Sequence, residues 1–153
     1  MARGRVDRIA LVVPDIREAA AQLKELFDID LHVHDVAAMG SRVGLCDEGF
    51  ELVEPLSGGA ATRGSLAAIG VKVDDLEEAR RLMAERGHSP TSEIESPGGL
   101  RELFYADGFA GLPLVLAEYG DGGFATEAGA TTAGPFEPRW ISGEPQASDD
   151  TKV

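Results

Sequence analysis

Two copies of one stretch stand sixty positions apart, and that spacing restricts the chain to folds built by duplicating a supersecondary unit. Residues 8–19 return at 68–79, with Ile9/Ile69, Val13/Val73, Asp15/Asp75, Glu18/Glu78 and Ala19/Ala79 identical. In each copy a β-branched apolar run leads into a turn and then a helix. Val6–Val13 is nearly continuous in apolar residues, as a covered strand requires, and Pro14 ends it. Asp15 precedes Glu18 by three residues, an Asp form of the capping box, and Asp75 precedes Glu78 in the same way. Ile16, Ala19, Ala20, Leu23, Leu26 and Phe27 then fall on one helical face, as do Leu76, Ala79, Leu82 and Met83.

After each helix come three short strand-like runs. In the first unit they cover 30–36, 41–46 and 50–55, and in the second 89–95, 100–105 and 112–118. The pattern predicts an α+β fold of two paired β-α-β-β-β modules, about 5–56 and 66–119, with a linker at 57–65 rich in Gly, Ser and Ala. The modules form one domain over 1–119.

Beyond Glu118 the periodicity stops. Residues 119–153 hold six Gly and six acids against Arg139 and Lys152, which reads as a flexible acidic tail over 120–153. One island, 135–141, contains Phe136 and the only tryptophan, Trp140. Two fates stay open for it: docking on the body or on a neighbouring subunit, or remaining free.

The net charge of −13 argues against nucleic acid or an anionic membrane as partner, since both need a concentrated basic surface. Cys46 is the only cysteine, so no intrachain disulfide forms. Together with the lack of an apolar leader or of a run long enough to span a bilayer, this predicts a cytoplasmic protein. Cys46 has no base or cation nearby in sequence to activate it as a nucleophile.

The stretches Val6–Asp15, Phe50–Pro55, Ile69–Asp75 and Ala110–Leu116 resemble, in order and register over 5–119, the vicinal oxygen chelate superfamily of glyoxalase I, bleomycin-resistance proteins and extradiol dioxygenases. Within it the look is nearest to methylmalonyl-CoA epimerases. The resemblance implies a curled, cup-shaped mixed sheet and often a homodimer. It also implies a divalent metal held by four side chains, His on each module's opening strand and Glu or Gln on each closing strand. Transferred by position, these are Arg8, Ala68, Glu51 and Val115. Alanine and valine carry no donor, and a guanidinium repels a cation, so the resemblance together with these residues predicts no metal and no cofactor.

Strand alternation puts Arg8, Ala10 and Val12 on one face of the first strand and Glu51 and Val53 on one face of the fourth, and the orientation that the resemblance implies turns Arg8 and Glu51 toward each other. Two readings stay open: a buried ion pair filling the metal position, or an Arg8 free to bind a ligand carboxylate or carbonyl with Glu51 orienting it. His34 and Asp35 lie near the position where the epimerases place a catalytic acid, so either is a candidate base, with Arg8 or Lys72 stabilising an enolate. His32 and His34 share a strand face and are candidates for a relocated metal site. Lys72, Arg101 and Tyr105 are candidate ligand contacts, although each also fits a structural place at the rim or sheet.

The leading function is a metal-independent small-molecule binder whose cup accepts a carbonyl-, carboxylate- or aromatic-bearing ligand. The alternatives are a metal-free isomerase, epimerase or lyase using Arg8, Glu51, His34 and Asp35, and a non-catalytic accessory subunit, the last favoured if the cup is filled by the protein's own side chains.

Overall fold

The computed structural model describes residues 2–57 and 63–143. Part of the expected linker (58–62) and the end of the expected tail (144–153) lie outside the described residues. The first module comprises β1 (Gly4–Val12), α1 (Ile16–Phe27), β2 (His32–Val36), β3 (Ser41–Leu45) and β4 (Phe50–Pro55), with a single 3₁₀ turn at Ala37–Met39. The second comprises β5 (Ser65–Val73), α2 (Leu76–Glu85), β6 (Ser92–Glu95), β7 (Arg101–Phe109) and β8 (Leu112–Glu118). Two further elements follow, α3 (Phe124–Ala128) and β9 (Arg139–Ser142).

The described strands form one mixed sheet in the order β2-β3-β4-β1-β5-β8-β7-β6-β9. β1 and β5 run antiparallel at its centre, with Ile9 directly opposite Ile69, so a pair of the repeat marks the local axis between modules. Each opening strand runs parallel to its module's closing strand, with Ala10 opposite Glu51 and Gly70 opposite Val115. β7 extends further than expected, through a hairpin turn in which Ala110 and Gly111 both take positive φ (52° and 75°).

Both helices pack on one face of the sheet. Asp15 accepts from the N–H groups of Arg17 and Glu18, and Asp75 from that of Glu78, so both anticipated caps form. The first helical residues, Ile16 and Leu76, are fully buried, which is worth roughly 1.5–3 kcal/mol each. Their N–H groups donate to acids on the closing strands, Ile16 to Glu54 (2.8 Å) and Leu76 to Glu118 (3.1 Å). Leu26 and Phe27, assigned to the packed face by helical spacing, are instead 68% and 63% exposed. The chain leaves α1 through Asp28 in a left-handed conformation, carrying these two past the sheet.

The opposite face is the cup, and it is here that the tail differs from its composition. Phe124, Ala125, Ala128, Ala130 and Phe136 are buried against Val36, Val43, Leu45, Leu100 and Ala117. β9 adds a strand beside β6, with Trp140 opposite Ile94. Residues 135–141 thus dock on the body of their own chain. Three contacts from distant residues hold the segment. Asp47, in the β3–β4 turn, accepts from Thr126 N (3.1 Å) and Oγ1 (2.8 Å) and so caps α3 from outside. Gly98 N donates to Ala128 O (3.0 Å), and a Cβ on Gly98 would come within 2.2 Å of Glu127 O. The small alanines of α3 then allow close approach to the sheet. Among the described residues no helix is long and apolar enough to cross a membrane.

Candidate functional site

On the cup floor, Arg8 is 2% exposed and spends its donors on three carboxylates. Nε donates to Glu51 (3.0 Å), Nη1 to Asp7 (3.3 Å) and Nη2 to Glu102. The ring of Phe124 covers the guanidinium, 3.8 Å from Cζ to the ring centre. The geometry depends on two local features. Between Val6 and Arg8 the β1–β5 register shifts, two residues on β1 answering one on β5, and this bulge lets Asp7 reach the same guanidinium. Opposite Arg8 stands Gly70, where a Cβ would come within 2.6 Å of Arg8 Cγ, so only glycine leaves room for the side chain. Tyr119 Oη donates to the other oxygen of Asp7.

One cation therefore faces three acids. Burial opposes the charge of Arg8, but Glu102, Glu51 and Asp7 together raise its pKa above the ordinary arginine value. Burial pushes the Glu102 carboxyl up to about 7; Arg8 opposes that rise, and Glu51 and Asp7 add to it. Tyr119 is held above the usual phenol value by burial and by its bond to Asp7.

The four positions that the resemblance assigns to a metal do not fit one. Arg8 occupies the space with a fixed positive charge, Ala68 and Val115 have no donor atom, and Glu51 is bonded to Arg8. Among the described residues no group of three His, Cys, Asp or Glu is placed to hold an ion. Of the two readings of the Arg8–Glu51 pair, the geometry has the buried one, enlarged by Asp7 and Glu102.

Beside this cluster lies a cavity of about 280 Å³. Its floor is Ala10, Ala68 and Val115, and Met39, Phe104 and Trp140 form much of its wall. Among the described residues, Glu51 is the single ionisable one lining it. A smaller chamber of about 40 Å³ shares Met39, Glu51 and Phe104 and reaches Glu102. The truncated side chains at 68 and 115 thus leave space, while α3 and Phe136 fill the neighbouring part of the cup. A larger groove of about 560 Å³ runs along the rim past Arg3, Arg5, Lys72 and Asp121, but much of its lining is exposed and it lacks the apolar enclosure that fixes a small ligand.

The remaining candidates are dispersed. Asp35 is 62% exposed and accepts from Arg42 (2.6 Å), which holds its carboxyl below the usual range. Arg42 also bonds Glu54, the acid that anchors α1, so Asp35 lies on the helix-bearing face, away from the cup. His34 Nε2 bonds the Ala130 carbonyl (2.7 Å) and its ring packs on Phe136, so it fastens the tail. His32, two residues along β2 and opposite Leu45, is half-buried and belongs to no ion-binding group among the described residues. Lys72 donates to Gly120 O (2.7 Å) and lies over the Tyr119 ring at the rim.

Arg101 bonds Glu77 and Glu93, and Tyr105 is buried against α2 in the apolar cluster with Leu76, Leu103 and Leu116. Both therefore lie on the helix side of β7. Glu102 and Phe104, on the alternate face, line the cup instead. Leu103 carried that signal in the sequence: the apolar Leu103 and Tyr105 were the residues fit to meet α2, which leaves Glu102 inward. Cys46 is buried, and burial pushes its thiol pKa up, consistent with an unactivated thiol.

No family model matches the chain, and no curated protein matches it. Solved structures do. A methylmalonyl-CoA epimerase from Mycobacterium tuberculosis superposes with a TM-score of 0.61 at 18% identity, covering 74% of this chain and 86% of that one. A hypothetical protein from Bacillus halodurans gives 0.62 at 18%, covering 77% and 96%. A Streptomyces coelicolor methylmalonyl-CoA epimerase variant in complex with 2-nitronate-propionyl-CoA gives 0.61 at 15%, covering 78% and 96%. At these identities the likeness is one of fold, and the chain has the vicinal oxygen chelate fold.

Proposed function

We propose that the protein binds a small molecule, without a metal, in the cavity between the β1–β5–β8 floor and Trp140. The observation that supports this most is the cavity itself, which opens where Ala68 and Val115 stand in place of metal ligands and is walled by two aromatic residues. Arg8 belongs to the scaffold of the site in this reading, because it is buried under Phe124, each of its three nitrogens bonds a carboxylate, and it is not part of the cavity lining. Glu51 is the charged contact offered to the ligand, with Ser41 and Ser92 also in the lining. The acyl-CoA seen in the Streptomyces coelicolor neighbour is a poor model for that ligand, since the cavity is small, roofed by the tail and free of lining cations.

Saturating ligand should stabilise the fold by about 2.7 kcal/mol at a hundredfold excess over Kd. The test is a fragment screen read by thermal shift, with Ala68→Leu as the cavity-filling control. Saturable stabilisation lost in the control supports the proposal, and stabilisation that survives in Ala68→Leu places the ligand elsewhere.

A metal-free acid–base enzyme is the second reading, and one specific observation favours it. Glu102, with its pKa raised to about 7, lines a chamber continuous in its lining with Glu51, so a carboxylic acid and a second carboxylate share one enclosure. In this version Glu102 and Glu51, not His34 or Asp35, handle the proton. Turnover of a small carbonyl compound that Glu102→Gln abolishes while binding persists would select it. A homodimer is also proposed: Val6 and Ile9 on β1 and Leu66 on β5 are 65%, 43% and 45% exposed, and a second copy would cover such surface. Light scattering that gives the monomer mass would overturn it.

A further inference from the structure

The cup-binding reading leaves the ligand's chemistry open, and the charges around the cavity narrow it. We infer that the ligand is a compact organic cation, an alkyl- or arylammonium, with its charge on Glu51 and its apolar body against Phe104 and Trp140. This inference rests on the cup being the binding site.

Three observations carry it. Glu51 gives one oxygen to Arg8 Nε, and among the described residues no protein donor reaches its second oxygen. Among the described residues that oxygen belongs to the only ionisable side chain lining the cavity, so an entering donor meets an open acceptor with no cation in the lining, Arg8 being bonded to the other oxygen. Secondly, the cluster behind Glu51 carries net negative charge. Asp7 and Glu51 outnumber Arg8 even when Glu102 is protonated, and the excess grows when Glu102 ionises. An anion brought here would face that excess with no lining cation to offset it, whereas a cation would reduce it.

Thirdly, the walls suit a cation. Phe104 and Trp140 line the cavity, aromatic rings attract positive charge through their quadrupole, and the alanines and valine of the floor accept a small hydrocarbon body. Arg8 already makes such a contact with the Phe124 ring.

Benzylamine, benzyl alcohol and benzoate provide cationic, neutral and anionic probes of nearly one shape. Binding is read from Trp140 fluorescence, which reports on the site because it is the chain's only tryptophan and lines the cavity. Benzylamine should bind roughly tenfold tighter than benzyl alcohol, the scale of one charge-assisted hydrogen bond with a cation–π contact, and benzoate should bind weakest. Glu51→Gln should bring benzylamine and benzyl alcohol to within about twofold of each other. Phe104→Leu, which leaves the charge cluster untouched, should weaken benzylamine more than benzyl alcohol. Circular dichroism checks that each variant is folded.

Benzyl alcohol or benzoate binding as tightly as benzylamine, with all binding lost in Ala68→Leu, overturns the cation and leaves the cup as a binding site. Binding that persists in Ala68→Leu overturns the cup reading itself. A lack of saturable binding by all three probes also overturns the inference.

Discussion

Replacing Arg8 with Met removes the guanidinium's positive charge and keeps most of the side chain's bulk. Asp7, Glu51 and Glu102 then face one another around a site where Arg8 is 2% exposed, with no counter-charge. Breaking a buried ion pair by removing one partner costs about 3–5 kcal/mol. The guanidinium–Phe124 contact at 3.8 Å adds roughly 0.5–2 kcal/mol. The expected loss is therefore about 3.5–7 kcal/mol near pH 7.5, a large share of a small domain's stability. The loss should shrink on acidification. Without Arg8, nothing in the cluster opposes the burial that raises the Glu102 carboxyl, so the folded state holds that proton more firmly, and stability lost at high pH returns as pH falls. Urea unfolding followed by Trp140 fluorescence at pH 7.5 and 5.5 measures both effects. A loss under about 1 kcal/mol would match an exposed ion pair and refute the claim that this cluster holds the cup floor. A loss that does not depend on pH would refute the electrostatic cause.

The pH behaviour of the native chain carries a related signature. The Glu102 pKa rises from 4.5 to about 7 on folding, so its contribution to stability falls as pH climbs through that window, and Glu102→Gln should flatten that part of the profile relative to the parent. Gly98→Ala drives a Cβ into the backbone of Glu127 and Gly129, and should lower stability by about 1–3 kcal/mol and move Trp140 emission to longer wavelength. Removing residues 120–153 uncovers the surface that Phe124 and Phe136 bury, with an expected loss of about 3–6 kcal/mol, measurable as a lower urea midpoint. An unchanged midpoint would mean that the tail does not stabilise the body.

The modules were legible in the sequence because their signals are local. Strand, cap and helix follow one another within each copy of the repeat, and Asp15 and Asp75 cap as their spacing implies. The unsuitability of the metal positions was legible for the same reason, since Arg8, Ala68 and Val115 lack suitable donors whatever surrounds them. The rest depended on contacts between distant residues. Strict alternation sends Asp7 away from Arg8, and only the bulge on β1 brings it back. Glu102 was hidden by a parity choice on β7 that Leu103 and Tyr105, packed on α2, decide the other way. Residues 124–142 lack periodicity of their own because their order comes from the body, through Asp47, Gly98 and the aromatic contact of His34 with Phe136.

The most direct measurement is elemental analysis of the protein after equilibration with magnesium, manganese, cobalt, nickel or zinc and removal of free ion, paired with benzylamine binding in the presence and absence of chelator. No stoichiometric metal and the same binding in both conditions are expected, because Arg8 occupies the position that a metal would need. One equivalent of tightly held metal, or binding that disappears with chelator, would contradict this expectation.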